Sequence, residues 1–261
     1  MNTSIERFRI DGKVAVVTGA GARQNSIGRA YALGLAAAGA RLVVADLDPQ
    51  GAEAVASEIR DAGGEAIAAG VDIADRGSVD AMASAARAAF GGVDILVNNA
   101  AIMAEMTRAC AIDYPLDAWN RILAVNLTGA LNCCQALVPQ MRERGGGKIV
   151  NQVSAGAFPA QSVYGVTKLA LVGLTTTLAA ELGRSGINVN AIAPGNTMSE
   201  AGKSLSHPDT PFRKMLETIV VGRIEGQPED LVGALLLLCS PAGDWMHGQV
   251  LHVDGGWVTR P

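Results

Sequence analysis

The chain has 261 residues, 49% of them hydrophobic but only 4% aromatic, with 44 Ala and 31 Gly. That apolar content excludes a disordered chain, and Gly follows no every-third-residue period, so a collagen-like helix is excluded as well. A charged fraction of 18% with net charge −4 gives no basic footprint for nucleic acid or an anionic membrane, which leaves a small molecule or another protein as the expected partner. Cys110, Cys133, Cys134 and Cys239 show neither CxxC pairing nor a His at metal spacing, so no disulfide framework and no metal site are expected and a reducing, cytoplasmic compartment fits. Residues 1–11 carry Glu6, Arg7 and Arg9 with no apolar segment after them, and the longest uninterrupted apolar stretch, 231–239, is too short to span a bilayer. A soluble chain without an export signal is expected.

In chain order, a short β-branched run, a Gly-containing turn and a longer Ala-rich segment recur. Residues 14–18, 42–45, 66–71, 95–98, 149–153, 189–192 and 250–253 read as buried strands, with helices over 27–38, 51–62, 78–90, 117–144, 163–182 and 229–239. Such alternation predicts a parallel sheet covered on both faces through right-handed crossovers. The fold expected is therefore α/β: one doubly wound (Rossmann) domain over residues 1–261, a three-layer αβα sandwich on a seven-stranded parallel sheet. Gly39, Gly63, Gly91 and Gly145 stand where helices should stop, positions at which a left-handed backbone favours Gly. Residues 195–226 break the rhythm and are too long for an ordinary connection, so they are read as a substrate lid.

Two constellations carry chemistry. The first strand runs into Gly19, Gly21 and Gly28 before a helix, an arrangement that lets backbone amides and a helix N-terminus approach a pyrophosphate. Asp46 follows at the end of the second strand, 18 residues after Gly28; a carboxylate there accepts from ribose hydroxyls and repels a 2′-phosphate, favouring NAD over NADP. The second constellation is Tyr164 with Lys168, four residues apart and so on one helix face. A cation beside a phenol stabilises the phenolate and lowers its pKa. Ser154 closes the fifth strand and brings a hydroxyl to the same sheet edge.

The segments TGAGARQNSIGRA, VVADLD, VDIAD, NNAA, VNLTG, VSAGAF, YGVTK, INVNAIAPGNT, GRIEGQPEDL and GQVLHVDGGW follow one another in this order over residues 12–257. In this order and spacing the chain resembles a single-domain short-chain dehydrogenase/reductase. The resemblance implies an NAD-dependent interconversion of a secondary alcohol and a ketone. Tyr164 would be the general acid or base, Lys168 would lower its pKa and hold the nicotinamide ribose, Ser154 would hold the substrate oxygen, and Asn126 would anchor a water leading from Lys168 to solvent. It places Ser26, Ile27 and Gly28 at the phosphates, Asp72 and Ile73 at the adenine, Asn98 and Ala100 along the cofactor, Pro194 and Gly195 at the nicotinamide, and Thr197 or Ser199 at its carboxamide. Long helices over 117–144 and 163–182 resemble those through which the family forms homotetramers.

Departures from the family pattern bear on these expectations. Three extra residues separate Gly19 from Ile27 and Gly28, and Ser26 stands where a middle Gly is usual. Similar loops occur in the enoyl reductase branch, which spaces its Tyr and Lys more widely than YGVTK does, so enoyl reduction is not expected. Arg23 lies in the glycine loop and pulls toward NADP, the alternative cofactor, against Asp46. The loop after Ser154 is short by about three residues, and NNAA has Ala101 where Gly is usual. Intact Ser, Tyr, Lys and Asn speak against a dinucleotide-binding regulator without activity, and an NAD-using lyase or epimerase would need a longer C-terminal domain. His207, His247 and His252 read as surface or packing residues, Trp119 and Trp245 as structural, Met103, Met106 and Met198 as pocket or core filling, and Trp257 as a subunit contact. The substrate's identity is not legible, although the scarcity of Lys and Arg near the cleft leans toward an uncharged one.

Overall fold

The computed structural model describes residues 5–21, 25–103, 111–158, 160, 162–203 and 209–259. Seven strands form one sheet, β1 Val14–Thr18, β2 Arg41–Asp46, β3 Ala66–Gly70, β4 Ile95–Asn98, β5 Gly147–Gln152, β6 Ile187–Pro194 and β7 Val250–Val253. All pair in parallel, in the order β3-β2-β1-β4-β5-β6-β7. The order reverses between β1 and β4, which opens a crevice above the carboxyl ends of these two strands. Every residue of β1 and β6 is buried, as expected when helices cover both faces of a parallel sheet and strands read as continuous apolar runs.

Side chains alternate across each strand, so β1 feeds two cores. Ala15 and Val17 pack with Tyr31, Leu35 and Leu235 on one face; Val14 and Val16 pack with Met82, Leu137 and Met141 on the other. The first face is covered by α1 Ile27–Ala37, α2 Pro49–Asp61 and, later in the chain, Val232–Cys239; the second by α3 Arg76–Phe90 and by helices within residues 116–182.

Boundaries differ from the sequence reading where a cap went unread. The second helix begins at Pro49 because Asp48 accepts from the Gln50 amide, and the third at Arg76 because Asp75 accepts from Gly77 and Ser78. The helix expected over 117–144 divides into α4 Leu116–Leu123, a π-helical turn over Ala124–Gly129, and α5 Ala130–Glu143. Then come α6 Val163–Leu182, the lid helices α7 Glu200–Lys203 and α8 Pro211–Ile219, and α9 Val232–Cys239, which follows a 3-10 turn over Pro228–Leu231. The runs Leu116–Glu143 and Val163–Ser185 are long and apolar enough, by length and composition alone, to cross a membrane. This corrects the inference drawn from the longest unbroken apolar stretch, because scattered polar residues do not remove such a signal. In the fold both runs lie on the sheet, with Leu137, Met141, Leu178 and Leu182 in its core.

At the amino ends of the strands Asp94 ties three elements together. Its carboxylate accepts from the Val14 amide at 2.9 Å and, through both oxygens, from the Arg144 guanidinium at 2.9 and 2.8 Å. Burial by itself would raise this carboxyl, but Arg144, the Val14 amide and Lys13 outweigh it and hold it below the usual carboxylate range. Asp94→Ala should therefore cost about 2–3 kcal/mol at pH 7 by urea unfolding, since it leaves a partly buried guanidinium and an amide unpaired. The wild-type advantage is present above the unfolded-state carboxyl pKa of roughly 4 and is lost as pH falls through the lower folded-state value, so the two proteins should converge in acid.

Candidate active site

The crevice at the strand-order reversal widens into a cleft of about 780 Å³. Its floor at one end is the turn after β1. Gly19 has φ +67°, and a Cβ on it would lie 2.7 Å from Ala100 Cα. A Cβ on Gly28 would lie 2.1 Å from the Gly19 carbonyl oxygen. Glycine at both positions is thus what lets the α1 N-terminus close onto the end of β1. Ser26 caps that helix, its Oγ accepting from the Arg29 amide at 3.1 Å. Asp46 points back into the turn, with one oxygen accepting from the Gly21 amide at 2.7 Å and the other from the Asp48 amide at 3.0 Å.

Asn99 clamps the turn to β4. Its Nδ2 donates to the Thr18 and Gly19 carbonyls at 2.9 and 3.0 Å, while Thr18 Oγ1 accepts from the Asn99 and Ala100 amides, each at 3.1 Å. Asp72 accepts from the Ala74 amide at 2.9 Å, and Asn132 donates to the Ile73 carbonyl at 3.0 Å. Gly19, Gly21, Ser26, Ile27, Gly28, Asp46, Asp72, Ile73, Ala100, Pro194, Gly195, Thr197 and Ser199 all line the cleft, as do Ser154 and Tyr164. Asn98 does not. It faces away from the cleft, donating to Asn151 Oδ1 at 2.9 Å beside Cys134, because alternation along β4 sends adjacent Asn side chains to opposite sides. Asn98 braces the strand, and Asn99 is the one that borders the cleft.

At the other end of the cleft Tyr164 and Lys168 rise from α6, whose N-cap Ser162 accepts from the Gly165 amide at 3.0 Å. Ser154 lies beside the Tyr164 hydroxyl; burial raises the phenol above its ordinary value, and Ser154 only partly offsets this. Lys168 is 1% exposed. Its Nζ lies 5.6 Å from the centroid of the Tyr164 ring and donates to the Gln152 carbonyl at 2.8 Å. Burial lowers its pKa to about 7. The expected lowering of the phenol by the neighbouring ammonium is therefore not what dominates here, because desolvation acts against the charged form of both groups. Asn126 sits in the π-helical turn, where its Oδ1 accepts from the Ile102 amide at 2.8 Å and its Nδ2 donates to the Ile102 carbonyl and to Thr167 Oγ1, each at 3.1 Å. Among the described residues no hydrogen bond joins Asn126 directly to Lys168.

The lid segment starts and ends at one point. Thr197 pairs with Gly226 in a parallel bridge, and the Met198 amide donates to the Gly226 carbonyl at 2.8 Å. Asn25, from the lengthened glycine loop, grips this root: its Nδ2 donates to the Met198 carbonyl at 2.6 Å and its own carbonyl accepts from the Glu200 amide at 3.0 Å. Phe212 of α8 meets Trp257 edge-on at 5.8 Å, and both border the cleft. Trp257, expected at a subunit contact, borders the cleft in this structure. His252 packs on the Phe158 ring at 5.0 Å, while Trp245, read as structural, is 98% exposed. Arg23, Met106, Cys110, Gln161, His207 and Pro208 lie outside the described residues.

Gln152, Asn99, Phe212 and the Asn25 clasp escaped the sequence reading. Asn99 could have been found from the doubled Asn; Gln152 could have been found, with Asn151, as one of two adjacent polar residues inside the strand read over 149–153.

A glycine-lined helix N-terminus, an acidic residue closing the second strand, and a Ser–Tyr pair over a buried Lys fit a nicotinamide dinucleotide beside an alcohol carbon. The fold and this site define a dinucleotide-binding oxidoreductase. A family model described as enoyl-(acyl carrier protein) reductase matches residues 21–258. An uncharacterized oxidoreductase of Mycobacterium tuberculosis is 48% identical over 250 residues, covering 96% of this chain and 99% of that one. A gluconate 5-dehydrogenase of Burkholderia cenocepacia, solved with NADP and tartrate, superimposes with TM-score 0.90 at 37% identity, with 98% of each chain covered. A 7α-hydroxysteroid dehydrogenase solved with NADH and 7-oxo glycochenodeoxycholic acid superimposes with TM-score 0.88, also at 37% identity, with 99% of each chain covered. The chain belongs to the short-chain dehydrogenase/reductase family; the two solved relatives are dehydrogenases, one holding NADP and the other NADH.

Burying an ammonium disfavours its charged form in the folded state. Lys168→Met should therefore raise stability toward urea, by about 2 kcal/mol, although it removes a group placed for chemistry. With the folded-state value near 7 and the unfolded one near 10.4, the gain should be full below about pH 7 and should fade toward pH 10; thermal or urea unfolding across this range checks it.

Proposed function

We propose that the protein is an NAD-dependent dehydrogenase that interconverts a secondary alcohol and a ketone. The observation that carries this is the placement of Ser154 and Tyr164, beside a buried Lys168, on the cleft that begins at the glycine turn. The dinucleotide, when bound, supplies the hydride acceptor for oxidation or the hydride donor for reduction. Ser154 Oγ holds the substrate oxygen, and Tyr164 takes its proton in oxidation or returns one in reduction. The Lys168 ammonium stabilises the phenolate formed in between, and Asn126 keeps residues around Ile102 and Thr167 in place beside them.

NAD is favoured because Asp46 is fixed at the turn by the Gly21 and Asp48 amides, where its charge opposes a 2′-phosphate. Relatives with the same identity act on a sugar acid and on a steroid, so overall likeness does not choose the substrate. Ile102 packs in one cluster with Tyr164, and Met103, Phe212 and Trp257 add apolar surface to the cleft, which supports an uncharged, partly apolar alcohol. Enoyl reduction is the second reading, from the description of the matching family model; the four-residue spacing of Tyr164 and Lys168 favours alcohol chemistry.

We further infer a homotetramer and a cytoplasmic location. Leu116, Val166 and Leu169 are exposed on α4 and α6, and Val166 and Leu169, three residues apart, share a helix face that a second copy would cover. Cys133, Cys134 and Cys239 are free thiols, as in a reducing compartment.

A panel of secondary alcohols with NAD, followed by NADH absorbance, tests the reaction, and a crotonyl thioester with NADH tests the enoyl alternative; turnover only of the thioester would overturn the proposal. Tyr164→Phe should lower kcat by ~10² or more with little change in NADH affinity. In the wild type, alcohol oxidation should rise with pH as the base loses its proton, and a flat profile would count against a titrating Tyr164. Asp46→Ala should narrow the preference for NAD over NADP by about tenfold, the scale of one lost close charge contact, as read from kcat/KM with each cofactor.

A further inference from the structure

Gln152 Oε1 is shut off from solvent and meets no hydrogen-bond donor among the described residues, yet Gln152 borders the cleft. A buried acceptor left unpaired by its own protein calls for a reason, and a donor brought by a ligand is one. An apolar side chain would serve the packing at this place better. Gln152 closes β5 in register with Ile192 of β6, so the two side chains share a face of the sheet, and Pro194, two residues further on, shares it too. Below Gln152 on this face lies Val150, and Val150 and Ile192 both belong to the core. The Gln152 amide thus caps the core at the carboxyl edge, and its main-chain carbonyl takes the Lys168 ammonium.

Lys168 on one side and Pro194 with Gly195 on the other bracket the nicotinamide end of the cleft. At the lid root Thr197 Oγ1 donates to the Gly195 carbonyl at 3.3 Å, and Ser199 Oγ accepts from the Gly202 amide at 3.1 Å while keeping its own proton for a carbonyl acceptor, so a carboxamide NH2 still needs a partner of its own. We propose that Gln152 Oε1 accepts a hydrogen bond from the carboxamide NH2 of the nicotinamide, and so orients the ring and selects for a carboxamide. The assignment rests on the dinucleotide reading above. A substrate hydroxyl is the other source of such a donor, and the test separates the two.

Binding of NADH and of its reduced 3-acetylpyridine analogue, in which a methyl group replaces the NH2, is measured by quenching of tryptophan fluorescence without substrate. Wild type should bind NADH about three- to tenfold more tightly than the analogue, the size of one hydrogen bond. Gln152→Met, close in volume but lacking the oxygen, should bind the two equally, and Gln152→Glu, which keeps an acceptor, should restore the ratio. Equal binding by the wild type overturns the proposal without recourse to any variant. An undiminished ratio in Gln152→Met overturns it as well, and a KM rise in that variant confined to substrates with a second hydroxyl would give the acceptor to the substrate. No NADH binding by the wild type would instead remove the dinucleotide reading on which the assignment rests.

Discussion

The cleft depends on a contact between two stretches of backbone. At Gly28 the first turn of α1 comes so near the Gly19 carbonyl that even a methyl group is excluded, and Asn99 donates to that same carbonyl from the end of β4. The end of β1, the start of α1 and the end of β4 are therefore fixed at one point. The strand-order reversal only opens a gap between β1 and β4; this contact turns the gap into a cradle lined by amides and a positive helix end. Asp46 completes it from β2 by taking the Gly21 amide.

At the opposite end of the cleft the protein sacrifices stability for reactivity. A buried Lys ammonium is held beside a half-buried Tyr ring, and desolvation pushes each group toward its neutral form. The surrounding residues hold that arrangement. The Gln152 carbonyl takes the ammonium, and the π-helical turn at Asn126 orients an amide toward Ile102 and Thr167. A π-helical turn in the middle of a long helix is a local cost that proteins commonly retain at functional sites.

Much of this was legible in the chain. Repetition of β-branched runs and Ala-rich segments led to the seven strands and their parallel sheet, because a strand buried on both faces must be apolar throughout. Gly19, Gly28, Asp46, Tyr164 and Lys168 stood out because few residue types can do what those positions require. What stayed hidden depends on contacts between distant segments. Asn98 and Asn99 look alike in sequence, and only the alternation along β4 decides which one borders the cleft. The break in the helix at Asn126 leaves no trace in composition, and the helix starts at Pro49 and Arg76 hinged on caps just outside the periodic residues. The phenol's upward shift follows from burial, which the spacing of Tyr164 and Lys168 does not reveal.

The Asp94 clamp lies at the amino ends of the strands, and the cleft lies above their carboxyl ends. From Asp94 to Asn99 an extended strand covers roughly 17 Å. Asp94, Arg144 and Lys13 do not line the cleft. Contacts that maintain the fold and groups placed for chemistry thus share no residue, so the two ends of one sheet are free to adapt on separate terms, one to temperature and the other to substrate.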